Sequence, residues 1–124
     1  MPETPVTKVG AADLGPGHPT PGMVRREAAV LDGVWSGTAV TEPGAIGGWH
    51  HHGEHDTIVY VVRGAFDVET STGVVHATAG DFVHVPARTV HREGNSSDET
   101  AEVVLVRRGH GPVVVNVDGP PSDR

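Results

Sequence analysis

The chain has no cysteine among its 124 residues. Disulfides, thiolate metal sites, thiol nucleophiles and a cysteine–tyrosine crosslink are therefore excluded, and the redox compartment is unmarked. Aromatic residues are few: Trp35, Trp49, Tyr60, Phe66 and Phe82 are the full set, so any apolar pocket must be lined mainly by valine. Basic residues are also scarce. Nine Lys plus Arg against sixteen Asp plus Glu give a formal charge of −7, which disfavours a nucleic-acid partner. No apolar run approaches membrane-spanning length, and the N-terminus lacks the basic-then-apolar pattern of a signal peptide. No membrane partner is expected, and the cytoplasm is the expected compartment. Helical periodicity is nearly absent.

Glycine, proline, valine and histidine are plentiful by contrast. Proline and glycine crowd residues 1–22 without any apolar period, which predicts an irregular arm. From Met23 onward, short runs of valine and threonine alternate with Gly, Pro or Asn turns. The expected strands are residues 24–30, 35–41, 57–63, 65–70, 74–77, 81–85, 102–107 and 113–117. Arg63-Gly64 reads as a tight reversal, and Ser71-Thr72-Gly73 as a hairpin turn. Residues 23–118 are expected to form one all-β domain, a sandwich or barrel large enough to bury a core without staples. Residues 119–124 are expected to be a flexible tail. Because Val103, Val104, Leu105 and Val106 are all apolar, their strand is expected to be buried on both faces. Residues 113–117 read as an added edge strand, which must pair with a second chain or return onto its own sheet.

The histidines point to chemistry. His50, His51 and His52 stand in a row, and His91 follows far downstream. Successive strand side chains alternate between faces, so His50 and His52 project together while His51 points away. A same-face pair is a ready metal clamp, and a third imidazole from a neighbouring strand completes a facial set.

The surrounding residues resemble the two motifs of the cupin superfamily. Gly44, His50, His52 and Gly64 follow the first motif, G-x5-H-x-H-x(3,4)-E-x6-G. Gly80, Pro86, His91 and Asn95 follow the second, G-x5-P-x-G-x2-H-x3-N. The resemblance runs from Gly44 to Asn95 and implies a small single-domain cupin: a jelly-roll (double-stranded β-helix) barrel whose mouth brings His91 onto His50 and His52. It implies a divalent metal, iron or alternatively zinc, nickel or manganese, and a homodimer, since small cupins are commonly dimers.

Two positions depart from the motifs. Thr57 stands where the family carries its glutamate ligand, and Arg88 where the second motif has glycine. A three-histidine site of His50, His52 and His91 remains, similar to that of three-histidine cupin dioxygenases. Three neutral imidazoles leave a divalent charge uncompensated, which favours an anionic chelating substrate. Asp56 fits a shorter ligand spacing, but alternation turns it outward if Thr57, Val59 and Val61 face in. Glu54 and His55 are expected at the rim, and His18 is expected to be unrelated to the metal. His84 shares its parity with Phe82 and is either a pocket wall or a buried, paired histidine. Arg88, Arg92 and Glu93 flank His91 and either orient a substrate anion or form a rim salt bridge.

The first expectation for activity is a non-haem iron dioxygenase acting on a small enolisable molecule, with Arg88 assisting. The second is a zinc, nickel or manganese lyase or isomerase with Glu54, Asp56 or His84 as base. The third is a non-catalytic small-molecule-binding module. A pocket without a nearby base would favour the dioxygenase, and a wholly aliphatic one the binding module.

Overall fold

A computed structural model describes residues 3–121; the first two residues of the expected arm and the last three of the expected tail lie outside them. Eleven strands follow one turn of 3-10 helix at Ala11–Asp13: β1 (Gly15–Pro16), β2 (Met23–Leu31), β3 (Val34–Thr41), β4 (His50–His51), β5 (Asp56–Arg63), β6 (Ala65–Thr70), β7 (Gly73–Thr78), β8 (Phe82–Val85), β9 (Arg92–Gly94), β10 (Ala101–Arg108) and β11 (Val115–Asn116). No helix among the described residues is long and apolar enough to cross a membrane.

Antiparallel pairing builds a six-stranded sheet in the order β1-β2-β3-β10-β5-β8. A three-stranded sheet β7-β6-β9 faces it, and a two-stranded ribbon β11-β4 completes the fold. The result is a jelly-roll, double-stranded β-helix barrel. Ala39, Val59, Val61, Val85, Val103 and Leu105 from the large sheet pack against Phe66, Val68 and Ala77 from the small one. Alternation decides which residues do this. On β5, Thr57, Val59 and Val61 are buried while Ile58, Tyr60 and Val62 face outward, as a half-buried strand requires.

At the β5–β6 reversal, Gly64 has φ +73°, and a Cβ there would lie 2.6 Å from Ala101 Cα. Glycine is needed both for that conformation and for the close approach of β10.

All eight expected strands are present, with bounds shifted by a few residues. Four details differ. β10 is central in its sheet but buried on one face only, with Val104 and Val106 about two-fifths exposed; its unbroken apolar run reflects β propensity as well as burial. The strand at the C-terminal end pairs within its own chain, Val115 opposite His51 and Asn116 opposite His50, so an unpaired edge there gives no support for a homodimer. The exposed apolar residues lie instead on the outer face of β5, β8 and β10, where Tyr60 and Phe82 rings meet at 4.8 Å. The arm is not wholly irregular, since β1 pairs with Arg26 and Glu27 of β2.

The alternation on β5 is directly testable by urea unfolding of the metal-free protein. Val59→Ala or Val61→Ala, each at a fully buried position, should cost about 2 kcal/mol. Ile58→Ala, between Val59 and Thr57 but half exposed, should cost about 0.5 kcal/mol or less. Equal losses at 58 and 59 would contradict the register.

Candidate metal centre

The two histidine segments meet backbone to backbone. His50 N–H donates to His91 C=O and His91 N–H to His50 C=O, both at 2.9 Å. This exchange places the two imidazoles side by side, with ring centroids 4.4 Å apart. His52, on the same face as His50, completes the group at 4.8 Å from His50 and 5.2 Å from His91. All three residues are buried, and their ligating nitrogens lie within 4.8 Å of one another. His51 turns away, its Nδ1 accepting the Gly53 N–H.

The rings are held in one orientation by the same device. Nδ1 of His50 is 2.8 Å from Gly48 C=O, Nδ1 of His52 is 2.7 Å from Val113 C=O, and Nδ1 of His91 is 2.8 Å from Thr89 C=O. A carbonyl only accepts, so each Nδ1 carries the proton and each Nε2 presents a lone pair. That is the arrangement of metal-ligating histidines. Burial holds His50 below its usual pKa and, with the nearby Arg107 charge, lowers His52 to about 3. Both therefore stay neutral near pH 7. His91 Nε2 is buried without any hydrogen-bond partner in the protein, a costly condition that a bound cation would relieve. The donor set and the orphaned nitrogen both fit a divalent metal.

Thr57 lies beside this group as an arginine anchor. Its buried hydroxyl accepts a hydrogen bond from Arg107 Nε at 3.2 Å. The Arg107 guanidinium also stacks on Trp35, 5.4 Å from the ring centre, and burial depresses its pKa. Arg107 faces inward because it shares parity with Val103 and Leu105 on β10. Beside His50 and His52 is a cavity of about 370 Å³ whose walls include His18, Arg25, Glu27, Trp35 and Arg107, with Val113 and Val114 at one side. Glu27 accepts the Trp35 Nε1–H at 2.9 Å. Arg25 joins Glu93 at 2.9 Å and Thr20 Oγ1 at 2.7 Å.

Several expected site residues lie elsewhere. His84 is on the outer face of β8, largely exposed and 3.2 Å from Asp56; it borders a surface hollow there and not the cavity beside His50 and His52. Asp56 faces out with it, also accepting Ala87 N–H. Glu54 and Arg88 are exposed and paired with each other, Nη1 to Oε2 at 2.8 Å; neither faces the cavity. Arg88 keeps the left-handed backbone of the glycine it replaces, φ 61°. Arg92 points away from His91, bonding Glu69 and stacking 4.9 Å over Trp49. His55 is buried rather than at the rim, its Nδ1 donating to His52 C=O. His18 lines the cavity instead of standing apart. The arginines that do face the cavity, Arg25 and Arg107, escaped sequence reading because they come from β2 and β10, outside both motifs. Strand parity was the one available signal.

The sequence of residues 37–107 matches the family model described as a cupin domain. The chain belongs to the cupin family. None of the curated proteins matches it significantly in sequence. Among solved structures, it is similar to KdgF from Halomonas sp., with TM-score 0.71 and 24% identity over 86% of this chain and 96% of that one. An uncharacterized conserved protein with a double-stranded β-helix domain from Klebsiella pneumoniae gives TM-score 0.70 at 20% identity, covering 82% and 85% of the two chains. An RmlC-like cupin from Shewanella frigidimarina gives 0.69 at 20%, covering 82% and 88%. At these identities the likeness establishes the fold.

Arg88 of this cupin gives a prediction independent of any ligand. Arg88→Gly removes the cost of a left-handed non-glycine residue and loses an exposed ion pair of small worth. The melting temperature should rise by a few degrees with metal content unchanged, and a fall would show that the Glu54 pair outweighs the backbone strain.

Proposed function

We propose that this cupin is a metal-dependent enzyme in which His50, His52 and His91 hold a divalent ion, and that its substrate is a small anionic molecule chelating through two oxygens. The observation that carries this reading is Arg107. Among the described residues its guanidinium makes a single hydrogen bond, through Nε to Thr57, so its terminal nitrogens remain available to a ligand in the cavity beside His50 and His52. A buried cation next to a divalent site, where the family's glutamate is replaced by threonine, calls for negative charge from the ligand.

When bound, the ion would polarise substrate oxygens as a Lewis acid, and iron would add redox chemistry. Arg107 binds and orients the anionic end by charge-assisted hydrogen bonds. Trp35, Val113 and Val114 shape the cavity and restrict water. Glu27 is held through one carboxylate oxygen by Trp35, which fixes it on the wall and leaves the other oxygen free to take and return a proton at a substrate carbon or hydroxyl. A carboxylate in the wall favours proton-transfer chemistry, isomerase- or lyase-like, over oxygen activation, which needs no base. The polar wall also speaks against a passive aliphatic pocket.

The second reading, an iron dioxygenase, is favoured by the neutral three-imidazole set. The two separate by metal and oxygen dependence. Zinc-loaded protein should turn over a small hydroxy- or keto-acid without oxygen, and Glu27→Gln should reduce kcat by about a hundredfold or more, within the range of general acid–base catalysis. Oxygen uptake with iron alone, on 1,3-diketones or flavonols, would replace this reading with the dioxygenase. Arg107→Gln should weaken malonate binding to the zinc protein about tenfold or more, equivalent to about 1.4 kcal/mol, with bound zinc unchanged. Unaltered malonate affinity would remove Arg107 from the substrate site.

A further inference from the structure

Glu93 lies two residues beyond His91. Residues i and i+2 share a strand face, so Glu93 points inward with His91 while Arg92 between them points out onto Trp49. Its backbone is fixed by its own carbonyl, which accepts Gly47 N–H at 2.9 Å. The carboxylate is almost wholly withdrawn from solvent, its side chain 11% exposed. One oxygen, Oε1, takes Arg25 Nη2 at 2.9 Å. The other, Oε2, lies 3.6 Å from His91 Nε2, the buried nitrogen that has no hydrogen-bond partner. Among the described residues this is the only carboxylate within 4 Å of any imidazole nitrogen of the trio.

From this geometry we infer that Glu93 supplies the carboxylate ligand that Thr57 cannot, through Oε2, while Arg25 holds Oε1. The inference rests on the metal reading above. Two atoms bound to one ion at about 2.1 Å lie roughly 3.0 Å apart at a right angle and about 3.4 Å apart at a tetrahedral one. The observed 3.6 Å is about 0.2 Å beyond the tetrahedral separation and about 0.6 Å beyond the right-angle one. Glu93 stands beside the tight imidazole trio rather than inside it, so a small rotation about its side-chain bonds brings Oε2 into the coordination sphere. Of the acids near the first motif, Glu54 is committed to Arg88 and Asp56 to the outer face, and Glu27, on the cavity wall, is not within 4 Å of any of the three imidazoles.

Moving the carboxylate from β5 to β9 has a chemical consequence. In the family motif the glutamate lies on the strand after the His-x-His pair. Here it enters from the His91 strand, and the vacated place is taken by Arg107 on Thr57. The carboxylate and the cationic substrate anchor therefore approach the ion from different strands. Arg25 and Glu93 offset each other's charge, and a divalent ion with Arg107 outweighs the single carboxylate of Glu27 in the cavity wall, which preserves the demand for an anionic substrate.

Cobalt(II) is the probe, because its visible absorption reports coordination number and ligand type independently of turnover. Glu93→Gln keeps the shape and a partner for Arg25. It should lower cobalt affinity, measured against a competing chelator, by tenfold or more and change the intensity of the visible bands. Arg25→Gln breaks the same ion pair from the other side; it should lower affinity less and keep the wild-type band pattern. Equal losses with identical spectra in the two variants would make Glu93 a structural partner of Arg25 and overturn the assignment.

His50→Ala separates this from the metal reading. If it abolishes cobalt uptake while Glu93→Gln binds with wild-type affinity and spectrum, Glu93 is no ligand but the metal site stands. If His50→Ala binds cobalt as well as wild type, both readings fall. Should Glu93→Gln not fold, X-ray absorption or a crystal structure of the cobalt-loaded wild type decides. A Glu93 oxygen at about 2.0 to 2.2 Å from the ion supports the assignment, and a sphere completed by water alone overturns it.

Discussion

Everything in the site depends on the two-way backbone hydrogen bond between His50 and His91. Each histidine comes from a segment too short to define itself: His50 lies in the two-residue β4, and His91 just before the three-residue β9. Alone, neither would hold an extended conformation. Their mutual pairing, with β11 on the other side of β4 and β6 on the other side of β9, fixes both at once. Because an antiparallel pair sets residues directly opposite, it also fixes the imidazoles side by side. Ring orientation then needs only one carbonyl per histidine, supplied by Gly48, Val113 and Thr89. The return of the C-terminal segment to this point brings Val113 to the cavity wall, where its carbonyl sets the tautomer of His52.

A second constraint is electrostatic. Burying Arg107 is expensive unless its charge is answered. The structure meets part of the cost with Thr57 and Trp35; under the proposed function an anionic ligand meets the rest. A glutamate at position 57 would stand within reach of Arg107 and would cancel its charge. Threonine keeps a hydrogen-bond acceptor for Nε without cancelling the charge. The departure from the family motif at Thr57 is thus coupled to a residue fifty positions away on the neighbouring strand, where Arg107 pairs directly with Thr57.

The same coupling explains how much was legible in the sequence. Strand positions, the inward parity of Thr57, Val59 and Val61, the outward turn of Asp56 and the convergence of His50, His52 and His91 follow from alternation and two short motifs, both local signals. Nearness in sequence to the histidines does not place a side chain in the cavity. Arg88, Arg92, Glu54 and His84 are close to the histidines along the chain but turn away from the cavity, and each pairs with a residue outside it. Arg25, Glu27 and Arg107 are remote in sequence and face inward. His18 stands in a segment without periodicity, and β1 anchors that segment to β2 and brings it to the cavity. Pairing register, which no single-sequence pattern specifies across such separations, is what sorts these two groups.

Arg88 shows where local and global requirements conflict. The turn after Pro86 must pass through a left-handed residue so that Arg88 N–H can reach Gly53 C=O at 2.8 Å. That hydrogen bond ties the second motif to the loop just after His52. Glycine would satisfy the backbone without strain; arginine satisfies it at a cost and adds a bond to Glu54 from the same loop. Both the backbone and the side chain of Arg88 therefore join the same two segments. The strained residue acts as a clasp on the outside of the site, joining the second motif to the loop after His52, and it does so without lining the cavity.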